Sequence, residues 1–296
     1  MVSVRIEKLH PLFVVEVSGV TLAEDVDEET FAAIANALEE HSILVFRNQD
    51  ISDDEQVRFS ERFGPLERML IGSQGAGTPL AYLTNVDRDS GEIIPPDDKR
   101  MIRNACNMLW HSDSSFKRVP ARFSILSGRE VPSEGGETEY ASLRAAYVDL
   151  PDDMKACIEG LVAEHSFAHS RSQIDPTLLD QTQKDEVPPV PQTLVRTNPV
   201  NGRKALYLGS HASHVYGMPL ADGRALLRQL LEHATQDRYV YRHAWRRKDI
   251  VIWDNRAVLH RGRPWDYLAH RRVMHRTTVA GDGPTVSDAD WARLRA

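Results

Sequence analysis

Two histidines and an aspartate carry the strongest chemical signal in the chain. His111 and Asp113 stand two residues apart in "LWHSDSSF" (109–116), inside an apolar frame. If that segment is extended, residues i and i+2 project from one face, and both side chains point into one cavity. His260 lies far along the chain in "DIVIWDNRAVLHRGRPWD", after a buried strand and a polar turn at Asp254-Asn255. Two imidazoles and one carboxylate make a facial triad that leaves three coordination positions open and suits non-heme Fe(II) oxygenases. Plainer readings stand beside this one. An H-x-D triplet arises by chance in polar turns, and any one of the twelve histidines is equally explained as a hydrogen-bonded core residue.

Positioning three such residues requires a frame, and the chain reads as a β-rich one. "FVVEVSGVTL" reads as a strand running into a turn at Gly19. "DEETFAAIANALEEHS" places Phe31, Ile34, Ala35 and Leu38 on one helical face. "SILVFRN" follows as a buried strand. "SDDEQVRFSERFG" opens with Ser52 and Glu55 at capping-box spacing and stops at Gly64-Pro65. Residues 66–105, with the Pro-rich "DRDSGEIIPPDDKR", predict a mobile loop, and long loops of this kind often serve as lids. "ARFSILSG" and "GGETEYAS" predict a strand, then a Gly-Gly turn into a short strand. "LRAAYVDLPDDMKACIEGL" predicts two helices broken at Pro151. Residues 168–193 predict a second long insertion. "TLVRT", "ALYLGS", "YVYRHAW", "DIVIWDN" and "RRVMHRTTV" are strand candidates, and "ADGRALLRQLLEHATQ" is an amphipathic helix. Strands without regular βαβ alternation, and without a G-x-G-x-x-G motif, predict a β-rich α+β fold: an antiparallel sandwich or a jelly roll with helices outside it.

Composition excludes several classes. A chain of 296 residues with 41% hydrophobic and 27% charged residues is an ordinary globular protein. Its net charge of -7 gives no basic stripe for nucleic acid, although it permits a local basic pocket for a small anion. Cys106 and Cys157 form no C-x-x-C and read as reduced thiols. The opening residues lack a signal-peptide core, and no stretch reaches the ~20 apolar residues of a membrane span. A soluble, cytoplasmic protein is expected, without nucleic-acid or membrane partners. Its oligomeric state is open, a homo-oligomer included.

The stretches "LWHSDSSF", "GGETEY", "WDNRAVLHRGRPWD" and "RRVMHRTT" together resemble the taurine/2,4-dichlorophenoxyacetate dioxygenase family of Fe(II)- and 2-oxoglutarate-dependent oxygenases. The resemblance runs from "HPLFVVEVSGVTL" and "HSILVFRNQ" through "RFGPLE" to the final strand. "LGSHASHVYGMPLADGRALLRQLLEHATQ" and "RAAYVDLP" resemble the 2,4-dichlorophenoxyacetate branch most. It implies a double-stranded β-helix forming a single domain over residues 1–296. It also implies Fe(II) as cofactor, with 2-oxoglutarate and O2 as cosubstrates. The implied reaction hydroxylates a small carboxylate substrate while 2-oxoglutarate becomes succinate and CO2. An aryloxyalkanoate would yield a phenol and glyoxylate. Taurine or another sulfonate is the alternative substrate, and a non-catalytic cupin-like anion-binding protein is the alternative of another class.

The resemblance also implies roles. His111, Asp113 and His260 match the iron ligands, and Thr138 matches a threonine that bonds the distal carboxylate of 2-oxoglutarate. The arginine for that carboxylate falls on Arg271 or Arg272, depending on register. With Arg272, Arg276 lies one strand repeat on and matches the receptor of the substrate carboxylate; with Arg271, His275 takes that place. Arginine suits both tasks because its planar guanidinium binds carboxylates bidentately and stays charged. An alternative is that the pair forms a solvated sheet edge. Asn107 matches a substrate-side residue. Of His211 and His214 in "HASH" one faces the substrate and the other is structural, with His211 the substrate-side candidate and a secondary metal site the alternative. Trp110 and Trp253 read as core.

Overall fold

The computed structural model describes residues 4–69 and 74–295. Residues 70–73, inside the first expected loop, and the opening Met1–Ser3 lie outside the described residues. A seven-stranded sheet runs in the order Arg5–His10, Val14–Ser18, Ile43–Phe46, Ile250–Asp254, Phe123–Glu130, Val273–Val279, Leu80–Thr84. A smaller sheet, ordered Val240–His243, Thr138–Ser142, Val258–Gly262, faces it. This is the jelly roll expected from the sequence, with helices outside.

Strand parity explains how the sheets pack. In Ile43–Phe46, Ile43 and Val45 face the space between the sheets, whereas Leu44 and Phe46 meet the outer helices. Val251 and Trp253 likewise point inward, and Ile250 and Ile252 outward. Both faces of the large sheet are covered, so these strands read as continuous apolar runs. The outer helices Glu28–His41 and Asp53–Glu61 supply Ile34, Leu38 and Phe59. The second of these carries the complete Ser52–Glu55 capping box. In the small sheet, Tyr140 and Val258 point inward while Ala141 and Leu259 meet a third core built on Leu220–Ala234 and Leu143–Val148. Side chains two residues on share a face. Thr138 and His260 therefore point inward too.

Two expectations are corrected. Residues 66–105 are not an irregular loop throughout: Leu80–Thr84 pairs with Val273–Val279 as the sheet's edge strand, and Lys99–Ala105 is a helix capped by Asp98. Residues 168–193 overlap or contain the helices Phe167–Ser172 and Gln181–Glu186 and the strand Val190–Thr193. Each element spans eight residues or fewer. That is too short for a periodic pattern to emerge from polar, Pro-rich surroundings. Among the described residues no helix is long and apolar enough to cross a membrane.

Candidate active site

His111 and His260 are locked together by their own backbones. His111 N donates to His260 O (3.0 Å), and His260 N donates to His111 O (2.9 Å). This isolated bridge sets the imidazole centroids 4.1 Å apart. Asp113 is not on an extended strand with His111. A turn begins at Asp113 itself, with Ser114 at φ 54°, and the Asp113 carboxylate lies beside both histidines. His111 Nε2 lies 4.0 Å from Asp113 Oδ1, and His260 Nε2 lies 3.8 Å from Asp113 Oδ2. All three side chains are buried, and one donor atom from each falls within 4.8 Å of the others.

The donor set fits a metal ion. Neighbouring ligands about 2.1 Å from one ion in a facial set lie about 3 Å apart, so the three donors, now within 4.8 Å of one another, would draw in by about an ångström or less each to close on it. His111 Nδ1 meets Leu109 O at 2.7 Å, which fixes its proton there and turns Nε2 toward the site as an acceptor. Burial lowers the pKa of His111 and lowers that of His260 further, so both rings are neutral, as ligation requires. Burial alone would push the Asp113 carboxyl up, but the Arg276 guanidinium and the hydrogen bond from Ser124 act against it and hold it below the usual carboxylate range.

A buried polar network, which sequence reasoning missed, aims Asp113. Ser124 Oγ donates to Asp113 Oδ2 (2.7 Å), and Asn255 Nδ2 donates to Ser124 Oγ (2.9 Å). Asn255 Oδ1 accepts from Asp113 N (3.1 Å) and from Trp253 Nε1 (2.9 Å). The one legible signal was an asparagine ending the buried run "DIVIWDN". The following turn is pinned by the fully buried Arg256, which donates to Asp254 (2.8 Å) and Glu39 (2.7 Å).

Two cavities meet at the triad. The inner one, about 60 Å³, is lined by Thr138, Trp253, His260, Trp265, Arg272 and Arg276, among others. Arg272 is buried against Trp265, with Nε donating to Gly136 O (3.1 Å), and among the described residues no carboxylate pairs with it. Burial pulls its pKa down to about 10. Gly136 (φ +69°) makes that approach possible, since a Cβ there would sit 3.2 Å from the Arg272 side chain. Thr138 Oγ1 accepts from Trp245 Nε1 (2.9 Å), leaving its own proton to donate. Trp245 had no signal in the sequence. Arg271 does not reach this cavity: it is exposed and pairs with Glu130 (2.8 Å), because it precedes the strand with the opposite parity to Arg272. His275 also points away, with Nδ1 2.6 Å from Asp53.

The outer cavity, about 550 Å³, shares Asn107, His111 and Arg276 with the inner one and adds Phe116, Phe167 and His211. Both long segments, 66–105 and 168–193, contribute walls, among them Tyr82 and Leu179. His211 Nδ1 meets Ser115 Oγ at 3.0 Å. Gly209 lets its segment pack against the ligand segment, because a Cβ there would meet Trp110 O at 3.0 Å. Arg276 is not a free cation at this boundary, since Nη1 donates to Asp113 Oδ1. His214 lies outside the cavity, 3.6 Å from Glu164. Trp253 is core, as expected, although its ring also forms part of the inner wall.

A jelly roll with two neutral imidazoles and a carboxylate converging beside a buried, unpaired guanidinium defines a mononuclear metal oxygenase of the two-histidine, one-carboxylate class. The profile of the "Taurine catabolism dioxygenase TauD, TfdA family" matches residues 5–278, and the chain belongs to that family. It is 45% identical over 282 residues to the alpha-ketoglutarate-dependent 2,4-dichlorophenoxyacetate dioxygenase of Cupriavidus pinatubonensis, covering 94% of this chain and 98% of that one. It is 43% identical over 282 residues to the enzyme of the same name from Burkholderia sp. (strain RASC), covering 94% and 95%. The crystal structure of AAD-2 in complex with Mn(II) and N-oxalylglycine superposes with a TM-score of 0.90 at 43% identity, covering 97% of this chain and all of that one. The chain is accordingly an enzyme of the 2-oxoglutarate-dependent dioxygenase class.

Proposed function

We propose that this single-domain enzyme, spanning residues 1–296, hydroxylates an aryloxyalkanoate and releases a phenol and glyoxylate from aryloxyacetates. One observation carries the reading: a small cavity with a buried, unpaired arginine and a large, aromatic-walled cavity open onto the same triad. The first suits a compact dicarboxylate, and the second suits an aromatic acid. The names of the most similar relatives point the same way.

In this reading His111, Asp113 and His260 hold Fe(II), which when bound supplies the activation of O2 by 2-oxoglutarate. The remaining work belongs to side chains. Arg272 and Thr138 hold the distal carboxylate of 2-oxoglutarate, the guanidinium through charge and the hydroxyl through the proton that Trp245 leaves available. Ser124 and Asn255 keep the Asp113 carboxylate oriented. Arg276 is the cation nearest the triad; Asp113 takes its Nη1, but its buried Nε has no partner among the described residues and is left to receive the substrate carboxylate. That places the carbon beside the ether oxygen next to the site, and its hydroxylation gives a hemiacetal that collapses. Asn107 and His211 flank the substrate as neutral groups. The Phe116 and Phe167 rings, 4.7 Å apart, cover the aryl group and exclude water.

The test is incubation of the Fe(II)-loaded enzyme with 2-oxoglutarate, O2 and either phenoxyacetates or taurine. Phenol and glyoxylate from the former, with succinate in step, are expected. Sulfite from taurine with no phenol would move the protein to sulfonate chemistry. No succinate under any condition would leave a non-catalytic anion-binding protein.

A further inference from the structure

The outer cavity holds a cation that the reading above leaves without a task. Arg171 projects from the helix Phe167–Ser172 into the cavity wall. Its guanidinium lies over the Phe167 ring, 4.2 Å from the centroid. Its polar neighbours are the hydroxyl of Ser170, at 3.5 Å, and the Cys106 thiol, and among the described residues no carboxylate pairs with it. Three other cations of the same wall are neutralised, Lys117 by Glu67, Arg100 by Asp87 and Asp98, and Arg276 by Asp113, while Arg68 donates to Gly77 O and Arg103 adds a second positive charge near Arg171. Burial disfavours the charge on Arg171, and no carboxylate among the described residues offsets that cost.

Its place relative to the triad decides what it can meet. The His111 ring leads to His211 (6.3 Å), then Phe116 (4.9 Å), then Phe167 (4.7 Å), which carries Arg171. An aromatic wall thus runs outward from the triad and ends at a guanidinium. A substrate with its carboxylate at Arg276 and its ring along this wall brings the far edge of the ring to Arg171. We propose that Arg171 is a specificity-determining residue that selects aryloxyalkanoates bearing an anionic or strongly hydrogen-bond-accepting substituent, such as carboxylate or nitro, on the ring edge remote from the side chain. This rests on the aryloxyalkanoate reading. Such a substituent takes the place of the missing carboxylate and turns a partly buried charge without a carboxylate partner into a charge-assisted contact.

The experiment compares phenoxyacetates carrying methyl, nitro or carboxylate groups at the 3- and 4-positions. Affinity is measured by calorimetry on the anaerobic enzyme loaded with Fe(II) and 2-oxoglutarate, and KM and kcat are measured in air. The protein should bind the nitro or carboxylate compound about tenfold or more tightly than the methyl compound, with the difference in KM rather than kcat. Arg171→Met should abolish that preference or invert it, and Arg171→Lys should restore part of it for the carboxylate. Equal binding of all substituents by the unmutated protein, or a preference that survives in Arg171→Met, would overturn the inference and leave the substrate class standing. Failure to bind any phenoxyacetate would bring down both together.

Discussion

Replacing Arg272 with methionine should strengthen the empty protein while weakening its hold on 2-oxoglutarate. The Arg272 guanidinium is buried without a carboxylate among the described residues, and burial alone draws its pKa from the ordinary arginine value down to about 10. That drop of about two and a half pH units corresponds to roughly 3 kcal/mol against the charged form. A carboxylate in the inner cavity recovers an energy of that order, so its loss should raise the 2-oxoglutarate dissociation constant by about 100-fold. Methionine follows the path of the aliphatic stem and removes the buried charge. At the guanidinium, the substitution gives up the 3.1 Å hydrogen bond to Gly136 O. Thermal unfolding without ligands should therefore hold its midpoint or rise by a few degrees. The assay is calorimetric titration of 2-oxoglutarate into the anaerobic Fe(II)-loaded protein, beside scanning calorimetry of the ligand-free protein. Arg271→Met is the control, since Arg271 is exposed and bound to Glu130. Unchanged 2-oxoglutarate affinity in Arg272→Met, or equal weakening in Arg271→Met, would refute the reasoning.

Further expectations follow from the same geometry. His260→Ala removes one of three donors and should abolish stoichiometric Fe(II) binding by calorimetry as well as turnover; full metal binding would exclude the triad. Thr138→Val keeps the shape but not the proton and should raise the 2-oxoglutarate KM roughly tenfold, with little change in substrate KM. His165 is fully buried, stacked on Tyr207 at 5.5 Å, and burial pushes its pKa down to about 3. The unfolded chain binds its proton near pH 6.5, so this residue makes the fold lose stability as pH falls from 6.5 toward 3. His165→Phe should narrow the gap between urea midpoints at pH 7 and about pH 4.5, and an unchanged gap would exclude that source of acid sensitivity.

The sequence by itself determined the frame. Short apolar runs rich in β-branched and aromatic residues, such as "SILVF" and "DIVIW", read as buried strands, and the Ser52–Glu55 spacing reads as a helix start, because these signals depend on neighbours a few residues away. The candidate ligands were named from residue type and family resemblance. Parity along a strand put Arg271 and Arg272 on opposite faces but left open which of them faces the site, and the structure brings only Arg272 to the inner cavity. Tertiary structure decided what lies between distant segments. The bridge that sets His111 beside His260 joins residues 149 positions apart in "LWHSD" and "VLHRG". Ser124, Asn255 and Trp245 become site residues only because strands from different parts of the chain lie next to one another. The same holds for charge. Whether an arginine is neutralised, as Arg276 is by Asp113, or left bare, as Arg272 and Arg171 are among the described residues, depends on which carboxylates the fold brings near. Local sequence carries no record of that, since burial and pairing are properties of the packed interior.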